Sequence, residues 1–271
     1  MKTVVLFFSI LLISVVGLAQ EKAIDKNVVF IHGAWSTGIV WSNFENYFSG
    51  KEYNTISPTF NYHSTERNDS LIGVSMEDYV SQIRDILKSF ENPPIVVAHS
   101  MGCIVVQRLA MEGLIGKMIL IAPPANYGMM PPSESIKSVK WVNSVKHLKN
   151  NLTKPTFEQA VNGMLNNLSN EKQKEVYSNM TYESGLVMKE MIWIKNIFGK
   201  KPNKIKYSQI DIPVLLVSGG IDNASPLKIS EKLMKKYKSK VELKQFENNA
   251  HWMMEENNWK ETAEYISKWA D

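Results

Sequence analysis

Cysteine is almost missing from this chain. Cys103 is the only one in 271 residues, so no intrachain disulfide can form. Arginine is scarce as well, confined to Arg67, Arg84 and Arg108; the other basic residues are lysines scattered among aspartates and glutamates, for a formal net charge of +4. With few guanidinium forks and no basic stripe, nucleic acid is not an expected partner. No apolar run reaches the ~20 residues needed to span a bilayer. The longest, residues 4–18, follows Lys2 and closes on Gly17-Leu18-Ala19 before Gln20, which is the pattern of a cleavable secretory signal. Residues 1–19 are therefore expected to be a signal peptide and 20–271 the mature chain, secreted or periplasmic; retention as an anchor is the alternative. Internal repeats and low-complexity tracts are absent from the sequence, and His63 and His147 lack a second ligand at metal spacing, which assigns them loop or surface positions.

What is present is enough apolar residue, 44% of the chain, for one substantial α/β core with an excursion. Strand signals fall at 28–31, 53–57, 94–98, 117–121, 213–218 and 241–246. Helical patterns fall at 41–48, 76–90, 102–112, 227–237 and 259–269. Strands alternating with helices over short links imply a mostly parallel, doubly wound sheet covered on both faces. Little mature sequence precedes Val28, so about six strands are expected. The alternation lapses over 123–209, where helical spacing appears at 136–148, 156–168 and 187–197; this segment reads as a helical cap inserted into a single domain.

Chemistry concentrates at three strand ends. The run Ile95-Val96-Val97-Ala98-His99-Ser100-Met101-Gly102-Cys103 reads as a buried strand stopping at a serine before a helix. So tight a turn requires small residues two before and two after the serine, and Ala98 and Gly102 provide them. Asp222 follows the apolar run 214–218 and the pair Gly219-Gly220, and His251 follows the alternating stretch 241–246. A serine hydroxyl is a weak nucleophile until an imidazole takes its proton, and a buried carboxylate fixes the tautomer of that imidazole. Ser100, His251 and Asp222 suit those roles. Charge developing on an attacked carbonyl needs preorganised donors: the Met101 amide, at a helix start, and the Ala34 amide, in the loop His32-Gly33-Ala34-Trp35, are the expected pair. His32 is expected to brace that loop. His99, one residue before the serine, is expected to point away from it by the strand period of two and to be a satisfied buried histidine.

The order Ser, Asp, His, the loop Ile31-His32-Gly33-Ala34-Trp35 with Trp41 after it, the elbow Ala98-His99-Ser100-Met101-Gly102, the block 213–222 with Pro226, and Ala250-His251-Trp252 resemble the α/β-hydrolase superfamily. More narrowly, they resemble its esterase-like branch of plant methyl-ester esterases and hydroxynitrile lyases. Ala98 and Cys103 depart from the glycine that the superfamily often carries at those positions. The resemblance implies an α/β-hydrolase fold with a cap over the catalytic face, a Ser-His-Asp hydrolase, and no metal or organic cofactor. The implied reaction is cleavage of carboxylic esters, with amides or thioesters as lesser possibilities, of small to medium apolar substrates through an acyl-enzyme. A lyase, a perhydrolase or a catalytically silent ligand-binding protein are the alternatives. Apolar residues of the insertion, Met129, Met130, Trp141, Met164, Met188, Met191 and Trp193, either line an acyl or alkyl pocket or pack the cap. Trp35, Met129 and Met130 are the expected substrate contacts. The partner is a small-molecule substrate, with no stable membrane insertion, and the chain is expected to be a monomer.

Overall fold

In the computed structural model, which describes residues 26–192, 202–237 and 241–271, the apolar runs become the interior of one sheet. The expected signal peptide at 1–19, Trp193 and the end of the expected 187–197 helix lie outside the described residues. In chain order the elements are β1 (Asn27–Ile31), α1 (Ser42–Ser49), β2 (Asn54–Ile56), α2 (Met76–Leu87), β3 (Ile95–His99), α3 (Gly102–Ala110) and β4 (Lys117–Ile121). The insertion then supplies α4 (Ser133–Val139), β5 (Leu152–Thr153), α5 (Phe157–Gly163), α6 (Asn170–Asn179), β6 (Glu183–Ser184) and α7 (Gly185–Ile192). The chain returns through β7 (Val214–Gly219), α8 (Leu227–Met234), β8 (Val241–Phe246) and α9 (Trp259–Ala270).

The six strands β2-β1-β3-β4-β7-β8 pair in parallel throughout, in that order. Interior strands of such a sheet are covered on both faces and need unbroken apolar runs: β1 (NVVFI) and β7 (VLLVSG) are buried along their whole length. The edge strands β2 and β8 have no fully buried residue. From β1 the chain steps to β2 on one side and then crosses to β3 on the other. Winding therefore reverses between β1 and β3, and a crevice opens beyond their carboxyl ends. Those ends lead into Gly33-Ala34 and Ser100.

Helix α1 packs on α9, and α2 on α3. Under α1 lies an aromatic cluster, with Phe30 at 5.2 Å from Trp41, 5.4 Å from Phe48 and 6.3 Å from Phe44, ring centre to ring centre. Each such fully buried ring contributes about 1.5–3 kcal/mol through apolar burial. A capping box starts α2, in which the Ser75 amide donates to Asp78 Oδ2 at 2.7 Å.

The insertion departs most from the helical periods in its sequence. Helix α4 begins after Pro131-Pro132 and ends at Val139, giving way to 3-10 turns and then to His147 in the left-handed region at φ +50°. Helix α6 was not expected: its residues are almost all polar, only Gln173 and Val176 are buried, and its start is fixed by Ser169, whose hydroxyl accepts from the Lys172 amide at 3.2 Å. The two-residue ladder of β5 with β6 was also unforeseen.

His63 is not a surface residue. Its side chain and that of Glu183 are fully buried, with Nε2 3.1 Å from Glu183 Oε2; Tyr79 donates to the other carboxylate oxygen at 2.6 Å. Burial alone would lower the His63 pKa, but the Glu183 charge and hydrogen bond, with the Asn61 and Phe60 carbonyls, raise it above its ordinary value. A raised folded pKa gives stability that is fully present below the unfolded value, about 6.5, and is lost as pH climbs through the folded one. Comparing urea midpoints of wild type and His63→Gln should therefore show a deficit on the order of 2 kcal/mol at about pH 5.5 that narrows toward pH ~9. A deficit that stays constant or widens with pH would show that the pair is uncharged.

Candidate active site

Between the last residue of β3 and the first of α3 stand only Ser100 and Met101, and Ser100 holds φ +48°, a conformation that side-chain-bearing residues seldom adopt. The turn is tight enough that a Cβ on Gly102 would lie 2.5 Å from the His32 carbonyl oxygen, and one on Gly33 would lie 2.9 Å from His99 Nδ1. Ala98 replaces a glycine without conflict: it is fully buried, paired with Ile31 and Leu120 in neighbouring strands. Cys103 packs behind the elbow, its thiol donating to the Ala98 carbonyl at 3.3 Å, and burial pushes its pKa well up, so it stays a protonated core residue.

The structure brings Ser100, His251 and Asp222 together. His251 Nε2 lies 3.1 Å from Ser100 Oγ, and Nδ1 lies 2.9 Å from Asp222 Oδ2. The other Asp222 oxygen accepts from the Ala224 and Ser225 amides, both at 2.8 Å. Asp222 and His251 are 4% and 2% exposed, while Ser100 retains access to solvent. Gly219 allows the loops carrying the acid and the base to meet, since a Cβ there would come within 2.3 Å of the Asn249 carbonyl.

Among the described residues neither the Ala34 amide nor the Met101 amide donates to a backbone carbonyl. His32 braces their loop with a defined tautomer: Nδ1 donates to the Gly33 carbonyl at 2.8 Å, and Nε2 accepts from the Phe60 amide at 3.0 Å. Burial, with the His63 charge adding to it, lowers the His32 pKa to about 3, so the brace stays neutral. Trp35 is held at φ +57° by the insertion: its indole donates to Thr153 Oγ1 at 3.1 Å, its carbonyl accepts from the Thr181 amide at 2.9 Å, and its ring lies 5.6 Å from that of Trp141.

A cavity of about 260 Å³ opens at Ser100, lined by Trp35 and Trp252 and, from the insertion, by Ile136, Val139, Met164 and Met191. Among the described residues no lysine, arginine, aspartate or glutamate lines it. Met129 and Met130 do not line it, which corrects the expectation placed on them. Met129 turns into the core beneath the Tyr207 hydroxyl, whereas Met130 is exposed at the surface, with its carbonyl accepting from Lys232 Nζ at 3.0 Å. The turn around Gly128, φ +82°, sends the two residues away from the crevice. Met188 is core packing. Pro131 and Ser135, lining residues from the same loop and helix, carried no signal in the sequence beyond their place after a strand end.

His99 is buried as expected but borders the cavity. Its Nε2 faces the His251 carbonyl at 2.9 Å and must carry the hydrogen. Burial first, and then the nearby His251, keep its pKa well below the ordinary value, so it does not compete for a proton. Among the described residues no grouping of three or more His, Cys, Asp and Glu side chains is arranged to hold a metal ion.

This geometry agrees with what comparison of the chain shows: a sequence profile described as the alpha/beta hydrolase family matches residues 28–265. The chain belongs to the alpha/beta hydrolase family. Solved structures share the fold of this alpha/beta hydrolase at low identity. A pyrethroid hydrolase from Sphingobium faniae JZ-2 is 17% identical, with 91% of this chain and 97% of that one covered, at a TM-score of 0.68. An extracellular alpha/beta-hydrolase from a Paenibacillus species, described as sharing structural and functional homology with tobacco salicylic acid binding protein 2, is 19% identical over 90% and 98% of the two chains, TM-score 0.67. Polyneuridine aldehyde esterase is 12% identical over 91% and 100%, TM-score 0.66. No curated protein matches the chain.

Proposed function

We propose that this alpha/beta hydrolase is a serine esterase, secreted or periplasmic, acting as a monomer on uncharged carboxylic esters of small to medium size, with residues 123–209 as the cap of a single domain. One observation carries the reading: the unbroken line Asp222, His251, Ser100, at 2.9 and 3.1 Å, opens into a cavity that, among the described residues, is lined by no acidic or basic residue except the histidines. The pyrethroid hydrolase and the esterase among the similar structures support ester chemistry on this fold. No helix among the described residues is long and apolar enough to cross a membrane, and the leader-like residues 1–19 favour export.

In this mechanism Ser100 Oγ bonds to the ester carbonyl carbon while its proton passes to His251 Nε2. Asp222 accepts from Nδ1–H, holds the reactive tautomer and stabilises the imidazolium without taking the proton. The amides of Ala34 and Met101 donate to the oxyanion, each worth on the order of 3 kcal/mol in the barrier. As the carbon–alkoxy bond breaks, the leaving oxygen takes the proton back from Nε2. Water then attacks the acyl carbon, giving a proton to the same nitrogen, and Ser100 departs with it.

A fluorophosphonate probe tests the assignment. It should modify the wild-type protein stoichiometrically on the peptide containing Ser100, and prior incubation with a short-chain p-nitrophenyl ester should slow labelling. Absence of labelling, together with no turnover across esters of varied acyl and alcohol size, would leave a ligand-binding protein as the better account.

A further inference from the structure

Acyl transfer as described makes no use of a buried carboxylate that lies close to the base. Glu256, five residues after His251 and 1% exposed, turns back on the loop that presents the base. Its Oε1 and Oε2 both accept from the Ala250 amide, at 2.9 and 3.1 Å, and Ala250 immediately precedes His251. Oε2 also accepts from Asn167 Nδ2 at 2.7 Å; Asn167 lies in the insertion, and the same nitrogen donates to the Asn248 carbonyl at 2.7 Å. The titratable groups facing Glu256 are Asp222 and His251. From the other side, His99 Nε2 donates to the carbonyl of His251. The backbone flanking the imidazole is thus held at two points, by a carboxylate on the Ala250 amide and by a neutral histidine on the His251 carbonyl.

We infer that Glu256 is a positioning residue for acyl transfer. Resting on the serine reading above, the inference is that its carboxylate fixes the Ala250 amide so that the His251 ring stays in line between Asp222 and Ser100, and that Asn167 ties this clamp to the insertion over the cavity. Both groups bonded to the carboxylate, the Ala250 amide and Asn167 Nδ2, are donors, and the two carboxylate oxygens accept from them in three contacts. Glutamine at this position keeps one acceptor for Ala250 but sets its own NH2 against Asn167 Nδ2. Asn167 cannot turn over to relieve that conflict without losing its bond to Asn248. Displacing a reacting group by ~1 Å costs about 10²-fold in rate without a comparable loss in binding.

The experiment measures kcat and KM for p-nitrophenyl butyrate, the rate of fluorophosphonate labelling of Ser100, and thermal unfolding, in wild type, Glu256→Ala, Glu256→Gln and Asn167→Ala. Glu256→Ala is expected to lower kcat and the labelling rate by about 10–100-fold with KM within about threefold of wild type, Glu256→Gln and Asn167→Ala by lesser factors in the same sense. Wild-type kcat and labelling in both Glu256 variants would overturn the inference. So would an unfolded Glu256→Ala beside a fully active Glu256→Gln, which would make the residue one of stability only. A wild type that neither labels nor turns over ester would instead remove the serine reading itself, and this inference with it.

Discussion

Replacing Ser100 with alanine is expected to lower ester turnover by on the order of 10⁵-fold while leaving the fold in place. The hydroxyl is the only atom removed. The Cβ stays where the elbow already accommodates one at φ +48°, and the loss to folding is that of one hydrogen bond to His251 Nε2, about 1 kcal/mol. Substrate should still enter, because the cavity walls and the amides of Ala34 and Met101 are untouched. What vanishes is the covalent path. Residual hydrolysis from donors and binding alone, about 10³-fold over water, marks the floor. The assay is kcat/KM on a short-chain p-nitrophenyl ester with unfolding midpoints measured alongside. Turnover within tenfold of wild type would show that some other group, not Ser100, is the nucleophile.

The parts of this molecule readable in its sequence are those governed by short-range rules. Strands β1, β3, β4 and β7 are interior and parallel, so their apolar runs admit little else, and each was legible to within a residue or two. The elbow was legible because only small residues survive at Ala98 and Gly102, where a Cβ on the latter would strike the His32 carbonyl. Asp222 and His251 followed from standing at strand ends in the right order. What stayed hidden depends on long-range packing. His63 lacks any local mark of burial and becomes a core residue only because Glu183, 120 positions away, arrives beside it. Glu256 looks like one more acid in Glu255-Glu256-Asn257-Asn258, and its purpose emerges only when the Ala250 amide and Asn167 are seen to converge on it. Helix α6 has no apolar stripe to announce it. Met129 and Met130 had the right chemistry, but a turn at Gly128 sent one inward and the other out to solvent.

The insertion does more than roof the cavity. It bonds the loop of the expected oxyanion donors through Thr153 and Thr181 on Trp35, and the base loop through Asn167 on Asn248. The acid loop is held through Asn166 on the Ile221 carbonyl and through the Asn162 carbonyl on Asn223. All three loops that converge on Ser100 are therefore anchored to the segment that also shapes the pocket. A change in cap packing that alters the room for substrate should alter the chemical step as well.

The other large effect is expected from Asp222→Asn, a substitution that alters almost no volume yet reverses a tautomer. Asp222 Oδ1 is committed to two backbone donors, the Ala224 and Ser225 amides, both at 2.8 Å. An asparagine must keep its single carbonyl oxygen there, since turning the NH2 onto those amides would leave three buried donors confronting one another. Its NH2 is then forced into the place of Oδ2, 2.9 Å from His251 Nδ1. A donor at that point makes Nδ1 an acceptor, so the ring hydrogen moves to Nε2 and points at Ser100 Oγ. The imidazole can no longer receive the serine proton. A fall in kcat of about 10⁴-fold is expected, with labelling of Ser100 falling in parallel and the unfolding midpoint changing far less. Asp222→Ala imposes no wrong hydrogen-bond polarity on the ring, so its loss need not exceed that of Asp222→Asn despite removing more atoms. An Asp222→Asn variant that keeps wild-type labelling would mean that this carboxylate does not set the state of the base.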